Sequence, residues 1–374
     1  MPITVGAPGS VMPPASAIAS TAASAERKGL DTIWWPDHLM GWHPESIWTP
    51  DICPLAAVQP NPHAYWDPVP AVAVAAGATE RVQLGVSVTE LVRNHPAQLA
   101  RAWLTLDHIT GGRTLLGVGA GEGENITPYG IDFDRPVARL EDALRVVRLL
   151  WEHDEPVDHE GPFYTLNRAV LGIPPVAPGR FPEIWVAAHG PRMCRLTGEL
   201  GDGWLPTFLG IDEYAQAWKR IREAATAAGR DPDAITAGLW LYTVMAEDHE
   251  TAHRLLEHRS VKAFDLALPS AFFEQRGARH PLGDDFYGLV DYVPTHLARD
   301  EAIAAIDAIP FEVVHDATLH GTPSEIAAKI APYADVGMRH IALWNVTFFP
   351  DVGLVRPSFD LLARTAEEIR RLPY

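Results

Sequence analysis

The sequence predicts an α/β fold of one kind, a (β/α)8 TIM barrel with insertions. Short β-rich runs alternate with longer helical patterns about eight times, and no change in composition marks a linker. Repeated right-handed βα crossovers imply a parallel sheet, and eight of them favour a closed barrel over an open sheet. The chain has 374 residues, whereas a barrel needs about 250, so roughly 120 residues are left for insertions. We therefore expect a single domain over 1–374, with insertions at about 40–65, 156–172 and 265–320.

Eight runs rich in β-branched and aromatic residues are the predicted strands. The second run ends at Pro36, which has no backbone N–H to donate, and the fourth leads into a glycine-rich turn at Gly119. A separate surface hairpin is predicted at 156–172, because Gly161 and Pro162 lie between two extended runs. In chain order, the eight strands are predicted at 3–5, 31–35, 82–88, 113–118, 184–188, 202–205, 239–245 and 340–345.

A helical pattern follows each predicted strand. The first has Pro14 in its first turn and ends at Gly29, which is the usual asymmetry of helix ends. The fourth is strongly amphipathic, since Leu144, Val147 and Trp151 recur near the helical period. In chain order, the helices are predicted at 14–28, 69–78, 96–109, 137–151, 192–200, 213–228, 249–264 and 358–371.

The composition excludes several classes of protein. Lys and Arg number 30 and Asp and Glu number 48, which gives a net charge of −18 and disfavours nucleic acid as a partner. The two cysteines, Cys53 and Cys194, are too few for a disulfide framework or a cysteine zinc site. No run approaches about 18 apolar residues, so we expect no membrane span. The first residues have no basic region, so we expect no signal peptide and a cytoplasmic protein.

In a TIM barrel, the chemistry is found at the C-terminal ends of the strands. The second strand ends in Asp37 and His38. A His beside an Asp suits an oriented general acid or base, although a His that only hydrogen-bonds its loop is the alternative. The third strand ends around Ser87, where a small hydroxyl among apolar residues would let a flat ring approach the backbone. An ordinary strand end is the alternative there.

The glycine-rich run after the fourth strand, 117–125, would let a ligand come close to the backbone. It is not the dinucleotide fingerprint, because Glu122 or Glu124 replaces the third glycine of G-x-G-x-x-G. We expect Glu122 to titrate within the site and Glu124 to face solvent. The fifth strand ends in small residues, and a helix begins at about Pro191. A helix N-terminus attracts phosphate, and Arg192 would add positive charge, unless it is a solvated residue beside a tight turn.

Two hydrolase interpretations compete with these expectations. His249 and His253 fit the H-E-x-x-H signature of zinc proteases, but such a short motif matches by chance in a chain with 16 His. Glu122 and Glu247 follow the fourth and seventh strands and would suit a barrel glycoside hydrolase. The glycines around Glu122 argue instead for a flat cofactor packed on the backbone, and we expect no metal.

Together, the strand ends resemble the luciferase-like monooxygenase superfamily, in the branch that uses the deazaflavin coenzyme F-420. The resemblance covers essentially the whole chain and is carried by 35–38 (WPDH), 85–88 (GVSV), 117–122 (GVGAGE), 182–193 and 202–204 (DGW). Within that branch, segments 127–130, 136–139 and 280–286 are similar to the mycobacterial phthiodiolone/phenolphthiodiolone dimycocerosates ketoreductases.

The resemblance implies a coenzyme site in the barrel mouth, with the ring on a cis peptide between Ser87 and Val88. It implies a ribityl-phosphate site beside the helix that follows the fifth strand, and Arg192 is expected to meet the acidic tail. The residues expected to bind the coenzyme are Asp37, Ser87, Val88, Gly121, Glu122, Asn125, Ala187, Ala188, His189, Gly190 and Arg192.

The same resemblance implies two-electron hydride transfer to or from a ketone or secondary alcohol, with an apolar or lipid substrate. His38 would exchange the proton with the substrate oxygen and would be held by Asp37. Glu122 would act as a second acid or base, and Trp42 would shield the reacting centre from water. A homodimer is expected. The alternatives are an FMN-dependent monooxygenase and a barrel that binds flavin without catalysis.

Overall fold

The computed structural model describes residues 2–374 and contains a closed barrel of eight parallel strands. Around the barrel the strands follow the order β1-β2-β3-β4-β7-β8-β9-β11, and β11 pairs with β1 to close it. The predicted fold class is therefore confirmed. The strands are β1 Thr4–Pro8, β2 Thr32–Trp35, β3 Gln83–Glu90, β4 Thr114–Gly119, β5 Val157–Glu160, β6 Thr165–Ala169, β7 Glu183–Val186, β8 Gly203–Trp204, β9 Thr236–Met245, β10 Thr318–Gly321 and β11 His340–Asn345.

Helices cover the outside of the barrel, as repeated βα units require. In the described part of the chain, none of them is long and apolar enough to cross a membrane. The helices are α1 Ser16–Arg27, α2 Pro68–Ala76, α3 Pro96–Thr110, α4 Pro136–Glu152, α5 Pro191–Leu200, α6 Ile211–Ala227, α7 His249–Leu256, α8 Arg259–Lys262, α9 Ser270–Glu274, α10 Arg299–Asp307, α11 Phe311–Ala317, α12 Pro323–Asp335 and α13 Val355–Arg370.

Each of the eight predicted barrel strands overlaps an observed one, and β5 and β6 form the predicted hairpin. The helix predicted at 249–264 is wrong, because α7 ends at Leu256 and the chain starts again at α8. His258 has an extended backbone between them, and its side chain accepts a hydrogen bond from the Ser260 amide. Because this N-cap starts a new helix at Arg259, α7 and α8 are two separate helices.

The segment 265–320, which the sequence analysis names only as an insertion without predicted elements, is largely structured. It contains α9, α10 and α11, and most of β10, which pairs in parallel with the end of β9. The apolar residues of α10 recur at helical spacing and are buried. The helix α12 was not predicted either, although Thr322 and Glu325 form a capping box at its start.

The floor of the barrel is filled by aromatic side chains. Trp34 and Trp185 pack edge to face with ring centroids 5.6 Å apart, and Gly85 has no side chain because a Cβ there would lie 2.6 Å from the Trp34 ring. Buried His340 accepts from Trp34 Nε1 over 3.3 Å. Burial lowers the pKa of His340 to about 4, so it is a neutral core residue. A filled floor leaves the C-terminal ends of the strands as the place for a site.

Candidate active site

Four polar side chains from the ends of β2 and β4 meet in the barrel mouth. His38 Nδ1 lies 3.0 Å from Asn125 Nδ2, 3.4 Å from Glu124 Oε1 and 3.6 Å from Glu122 Oε2. His38 and Asn125 are buried, whereas Glu122 keeps about a quarter of its side chain exposed. The structure therefore brings together His38, Glu122 and Asn125, three of the residues that the sequence analysis names, and their functional roles stay predictions.

Asn125 sets the orientation and the tautomer of His38. The Asn125 side-chain oxygen accepts the Leu39 amide over 2.7 Å, so its Nδ2 must point the other way. That Nδ2 donates to His38 Nδ1. In the neutral imidazole, the proton then sits on Nε2, which is free to act as a donor.

Glu124 was expected to face solvent, but the structure shows that it does not. Its side chain is fully buried, and Oε1 accepts from Trp42 Nε1 over 3.0 Å and from Asn125 Nδ2 over 3.3 Å. The short helical turn 123–125 bends it inwards. Gly123 makes this possible, because a Cβ there would collide with the carbonyl oxygen of Val290.

The two carboxyl groups share one electrostatic environment. Burial raises the pKa of Glu122, and the charge of Glu124 raises it further. Burial also raises the pKa of Glu124, whose Oε2 has no hydrogen-bond partner. The pair therefore holds a proton at a pH where isolated carboxyls would be ionised, next to the imidazole of His38.

Asp37 does not hold His38, which corrects the expected role. Its Oδ2 accepts from Thr89 Oγ1 over 2.6 Å and lies 3.3 Å from an Arg93 guanidinium nitrogen. Arg93 also donates to the Asp37 carbonyl over 2.7 Å and pairs closely with Glu90. Burial raises the pKa of Glu90 to about 7. Asp37 therefore ties the loop after β2 to β3 and its following turn, and the sequence analysis missed Arg93.

Aromatic rings cover His38. Trp42 meets it edge to face with centroids 4.8 Å apart, and Tyr65 lies at 5.3 Å. Tyr292 holds the Trp42 backbone by donating its hydroxyl to the Trp42 carbonyl over 2.7 Å. Trp42 itself is 9% exposed. Trp42 therefore packs against His38, and its expected role in shielding a reacting centre from water stays a prediction.

The ends of β3 and β4 form a flat surface next to this cluster. The Ser87–Val88 peptide is cis, and the pairing of β3 with β4 shifts register between Val86 and Thr89. The Ser87 hydroxyl is buried without a hydrogen-bond partner. A Cβ at Gly119 would lie 2.7 Å from Val88 Cγ2, so only glycine allows Val88 to rest there.

The end of β7 provides backbone and open space. Ala187 donates its amide to the Val118 carbonyl over 2.9 Å, Ala188 is buried, and His189 Nε2 accepts the Thr207 amide over 3.1 Å. Gly190 caps α5 without any side-chain hydrogen bond, and no atom lies within 4 Å of a Cβ built on it. The first amides of α5 thus remain available to an anion.

Arg192 lies on the surface and pairs with Glu141 over 3.1 Å. Glu141 also lies 3.3 Å from Arg145 and 3.5 Å from Arg195. Three arginines therefore surround one carboxylate in a chain whose overall charge is negative. Arg192 binding the acidic tail of the coenzyme stays a prediction, and the sequence analysis missed its two basic neighbours.

The hydrolase alternatives are not assembled. Within residues 2–374, the group of three potential metal ligands whose atoms all lie within 4.8 Å of one another is His38, Glu122 and Glu124, not the H-E-x-x-H pair. His249 Nδ1 instead lies 3.2 Å from Glu325. Glu247 is exposed and pairs with Arg364 over 2.7 Å, so it does not face Glu122 as a glycosidase pair would.

A cavity of about 690 Å³ starts at the aromatic cover of the site. Trp42, Tyr65, Phe264 and Trp344 line its inner part. This volume is within the range of small-molecule sites, and the walls are mostly apolar.

Comparison with known proteins agrees with this geometry. The chain is 36% identical to the phthiodiolone/phenolphthiodiolone dimycocerosates ketoreductase of Mycobacterium tuberculosis, over 93% of this chain and 90% of that one. It is 32% identical to the F-420-dependent glucose-6-phosphate dehydrogenase of Kineococcus radiotolerans, over 87% and 85% of the two chains.

Among solved structures, the fold matches an F-420-dependent secondary alcohol dehydrogenase in complex with an F-420–acetone adduct. The TM-score is 0.76 at 20% identity, and the match covers 99% of both chains. At 20% sequence identity, this similarity supports the fold alone. Residues 1–340 match the luciferase-like monooxygenase family. With a match of that extent, and with relatives above 30% identity over most of the chain, the protein belongs to the luciferase-like monooxygenase family.

Proposed function

We propose that this protein is an F-420-dependent oxidoreductase that transfers a hydride between the deazaflavin and a ketone or secondary alcohol. The observation that carries the proposal is the cluster of His38, Glu122, Glu124 and Asn125, which follows β2 and β4, the two strands that flank β3 and its Ser87–Val88 peptide. A proton donor next to a flat, backbone-lined surface suits a reaction that joins hydride and proton transfer. The printed activities of the two sequence relatives support the same reaction class.

The residues present fit the coenzyme. The Ser87 hydroxyl has no partner, and Gly121 has a φ of +115°, a backbone conformation that other residues rarely adopt. These groups, with Val88, Glu122 and Asn125, would hold the ring. The phosphate would meet the β7 end and the free amides of α5, at Ala187, Ala188, His189 and Gly190. When bound, the deazaflavin supplies or accepts a hydride at a ring carbon.

His38 is the proposed proton donor to the substrate oxygen during reduction, and the acceptor during oxidation. Asn125 occupies Nδ1, so Nε2 is the atom that exchanges the proton. When the imidazole is charged, Glu124 at 3.4 Å and Glu122 at 3.6 Å stabilise it. A neutral imidazole that gives up its Nε2 proton must gain one at Nδ1, and we propose that the Glu122 carboxyl, which lies 3.6 Å from Nδ1 and has a raised pKa, supplies that proton in the same step.

The substrate is proposed to be apolar, because the aromatic residues that meet His38 are also the inner wall of the cavity. Trp42 and Tyr65 contact the imidazole and line the cavity together. Ring faces and edges bind alkyl groups and exclude water, which favours hydride transfer to a carbonyl over exchange with solvent. The lipid ketone of the mycobacterial relative's name is consistent with such a wall.

Fluorescence titration tests the coenzyme assignment, because Trp42 lies at the site. The purified protein is titrated with F-420 and, separately, with FMN. Tight quenching by F-420 alone, followed by coenzyme-dependent turnover of ketones or secondary alcohols, supports the proposal. Tight binding of FMN alone, with oxygen consumption, would replace it by a monooxygenase. Binding of neither would remove the cofactor assignment.

We also propose that the enzyme works as a homodimer in the cytoplasm, as the resemblance to paired luciferase-like barrels implies. Light scattering at the exit of a sizing column should then give twice the 41.0 kDa of one chain. Cell fractionation should find the protein with soluble cytoplasmic markers. A mass of one chain, or recovery with membranes, would contradict the respective part.

A further inference from the structure

The apolar cavity does not end at the barrel mouth. From Trp42 and Tyr65 it continues outwards past Phe348 and Phe349, which follow β11. The segment 8–12, which follows β1, lines the same space. The cavity therefore connects the cover of His38 with the outside of the barrel.

Two barrel helices form the outer walls. From α1, Thr21, Ala25 and Lys28 line the cavity, at the i, i+4, i+7 spacing of one helix face. From α13, Phe359 and Ala363 line it at the i, i+4 spacing. The small side chains of Ala25 and Ala363, one on each of these faces, leave the space between the two helices unfilled.

The outer end of the cavity is marked by exposed apolar side chains and then by charges. Val58 is 65% exposed, Val355 38% and Phe359 36%, and all three line the cavity. Large apolar side chains left together at a surface indicate a binding site. Beyond them, Lys28 and Asp360 form an ion pair of 2.5 Å that joins α1 to α13.

We propose that this space is a channel for the alkyl tail of the substrate, and that Ala25 and Ala363 set the chain length that the enzyme accepts. The inference rests on the proposed function, because it places the reacting carbonyl at His38 and the tail between α1 and α13. The walls are mostly apolar, with the polar side chains of His43, Gln59 and Asn345 among them, and the Lys28–Asp360 pair lies at the outer end, which suits a long hydrocarbon chain. The acidic tail of the coenzyme does not suit these walls, because burying its charges there would be costly.

The test compares two phenylalanine variants of α1. Ala25→Phe puts a large ring into the channel, whereas Ser20→Phe puts the same ring on an exposed position of the same helix that does not line it. Each variant is assayed with butanone and with a long-chain methyl ketone, using F-420 as coenzyme. Ala363→Phe blocks the opposite wall and replaces Ala25→Phe if that variant does not fold.

In the wild type, KM should fall as the ketone becomes longer, since each buried methylene favours binding. In Ala25→Phe, KM for the long ketone should rise at least about tenfold, while KM for butanone changes less than about twofold. Ser20→Phe should behave like the wild type with both. Equal effects on both ketones, or no dependence on chain length in the wild type, would overturn the channel while leaving the proposed function intact.

A binding experiment tests the channel independently of the proposed function, because it does not require turnover. A long-chain secondary alcohol is titrated into the protein without coenzyme, by isothermal calorimetry. Binding that strengthens with chain length and is lost in Ala25→Phe supports the channel even if no turnover is found, in which case the proposed function alone fails. Binding that is the same in Ala25→Phe and the wild type would contradict the channel directly. If the groove instead accommodates a segment of another protein, the alcohol does not bind.

Discussion

Replacing His38 with glutamine isolates its proposed proton transfer from its packing. The side chain at this position is 8% exposed, and the amide of glutamine is able to accept the hydrogen bond that Asn125 donates to Nδ1. Glutamine does not exchange a proton, so only the acid and base function is removed. General acid–base catalysis contributes about 10² to 10⁴ in rate. We therefore expect kcat to fall by that factor, which is about 3 to 5 kcal/mol on the barrier.

The assay follows the visible absorbance of F-420 in single turnovers and measures its Kd by tryptophan quenching. The Kd should change less than about twofold, because Ser87, Val88 and the β7 end remain in place. In His38→Ala, added imidazole should restore part of the rate, since it supplies the missing acid. A normal rate in His38→Gln would refute the assignment, and a parallel loss of coenzyme binding would make His38 a binding residue instead.

The variant Asp37→Asn is the control for His38→Gln. The role expected from the sequence and the contacts seen in the structure predict different losses of rate for it. If Asp37 oriented His38, the variant would lose nearly as much rate as His38→Gln. In the structure, Asp37 binds Thr89 and lies beside Arg93, so the variant should lose thermal stability and less than about tenfold in kcat. A loss comparable to that of His38→Gln would restore the role expected from the sequence.

Two further predictions concern the backbone of the coenzyme site and a buried acid. Gly121→Ala should lower stability by roughly 1 kcal/mol or more and weaken F-420 binding, because φ is positive and the new Cβ would lie 2.7 Å from Ile126 Cδ1. Gly130→Ala has the same sign of φ but open space, so it should lose stability and keep binding; equal F-420 affinities would contradict the clash. Burial raises the pKa of Asp265 to about 8, and neither carboxyl oxygen has a partner. Because the carboxyl ionises near its ordinary pKa of about 3.8 in the unfolded chain but stays protonated up to about pH 8 in the folded one, the melting temperature should fall as pH rises from about 4 to about 8 and should level off above that. Asp265→Asn should flatten that slope, and an unchanged slope would contradict the assignment.

Most of the eight strands were predictable because they carry an apolar run that stands out from its surroundings, although β8, Gly203–Trp204, is too short to have one. The strand β10 was not, since its four residues, Thr-Leu-His-Gly, have no apolar run and are held by pairing with the end of β9. The break between α7 and α8 depends on one capping side chain, His258, which a helical pattern does not reveal. Periodicity thus located most of the elements that bury a face, although it missed α10 and α12, and it missed β10, which is fixed by its partner strand.

The candidate site also has a part that could be predicted from the sequence and a part that could not. That His38 and Asn125 lie near each other was predictable, because they follow strands whose C-terminal ends meet at one face of the barrel. The partner of Asp37 was not predictable, because Arg93 comes from the turn after β3 and reaches back across 56 residues. The direction of Glu124 was not predictable either, since it is decided by an irregular turn and not by an alternating strand.

The electrostatics of the site come from the insertions more than from the barrel. Glu124 is buried because Gly123 rests on the backbone of Val290, and Trp42 is held by Tyr292; both partners belong to the segment 265–320. A bare barrel would leave these carboxyls in water with ordinary pKa values. By covering them, the insertion raises the pKa of the pair beside His38 and keeps a proton at the reacting centre. Changes at Val290 or Tyr292 should therefore alter the pH dependence of turnover although neither residue is proposed to touch the substrate, and an unchanged profile would show that the carboxyl pair does not control the proton.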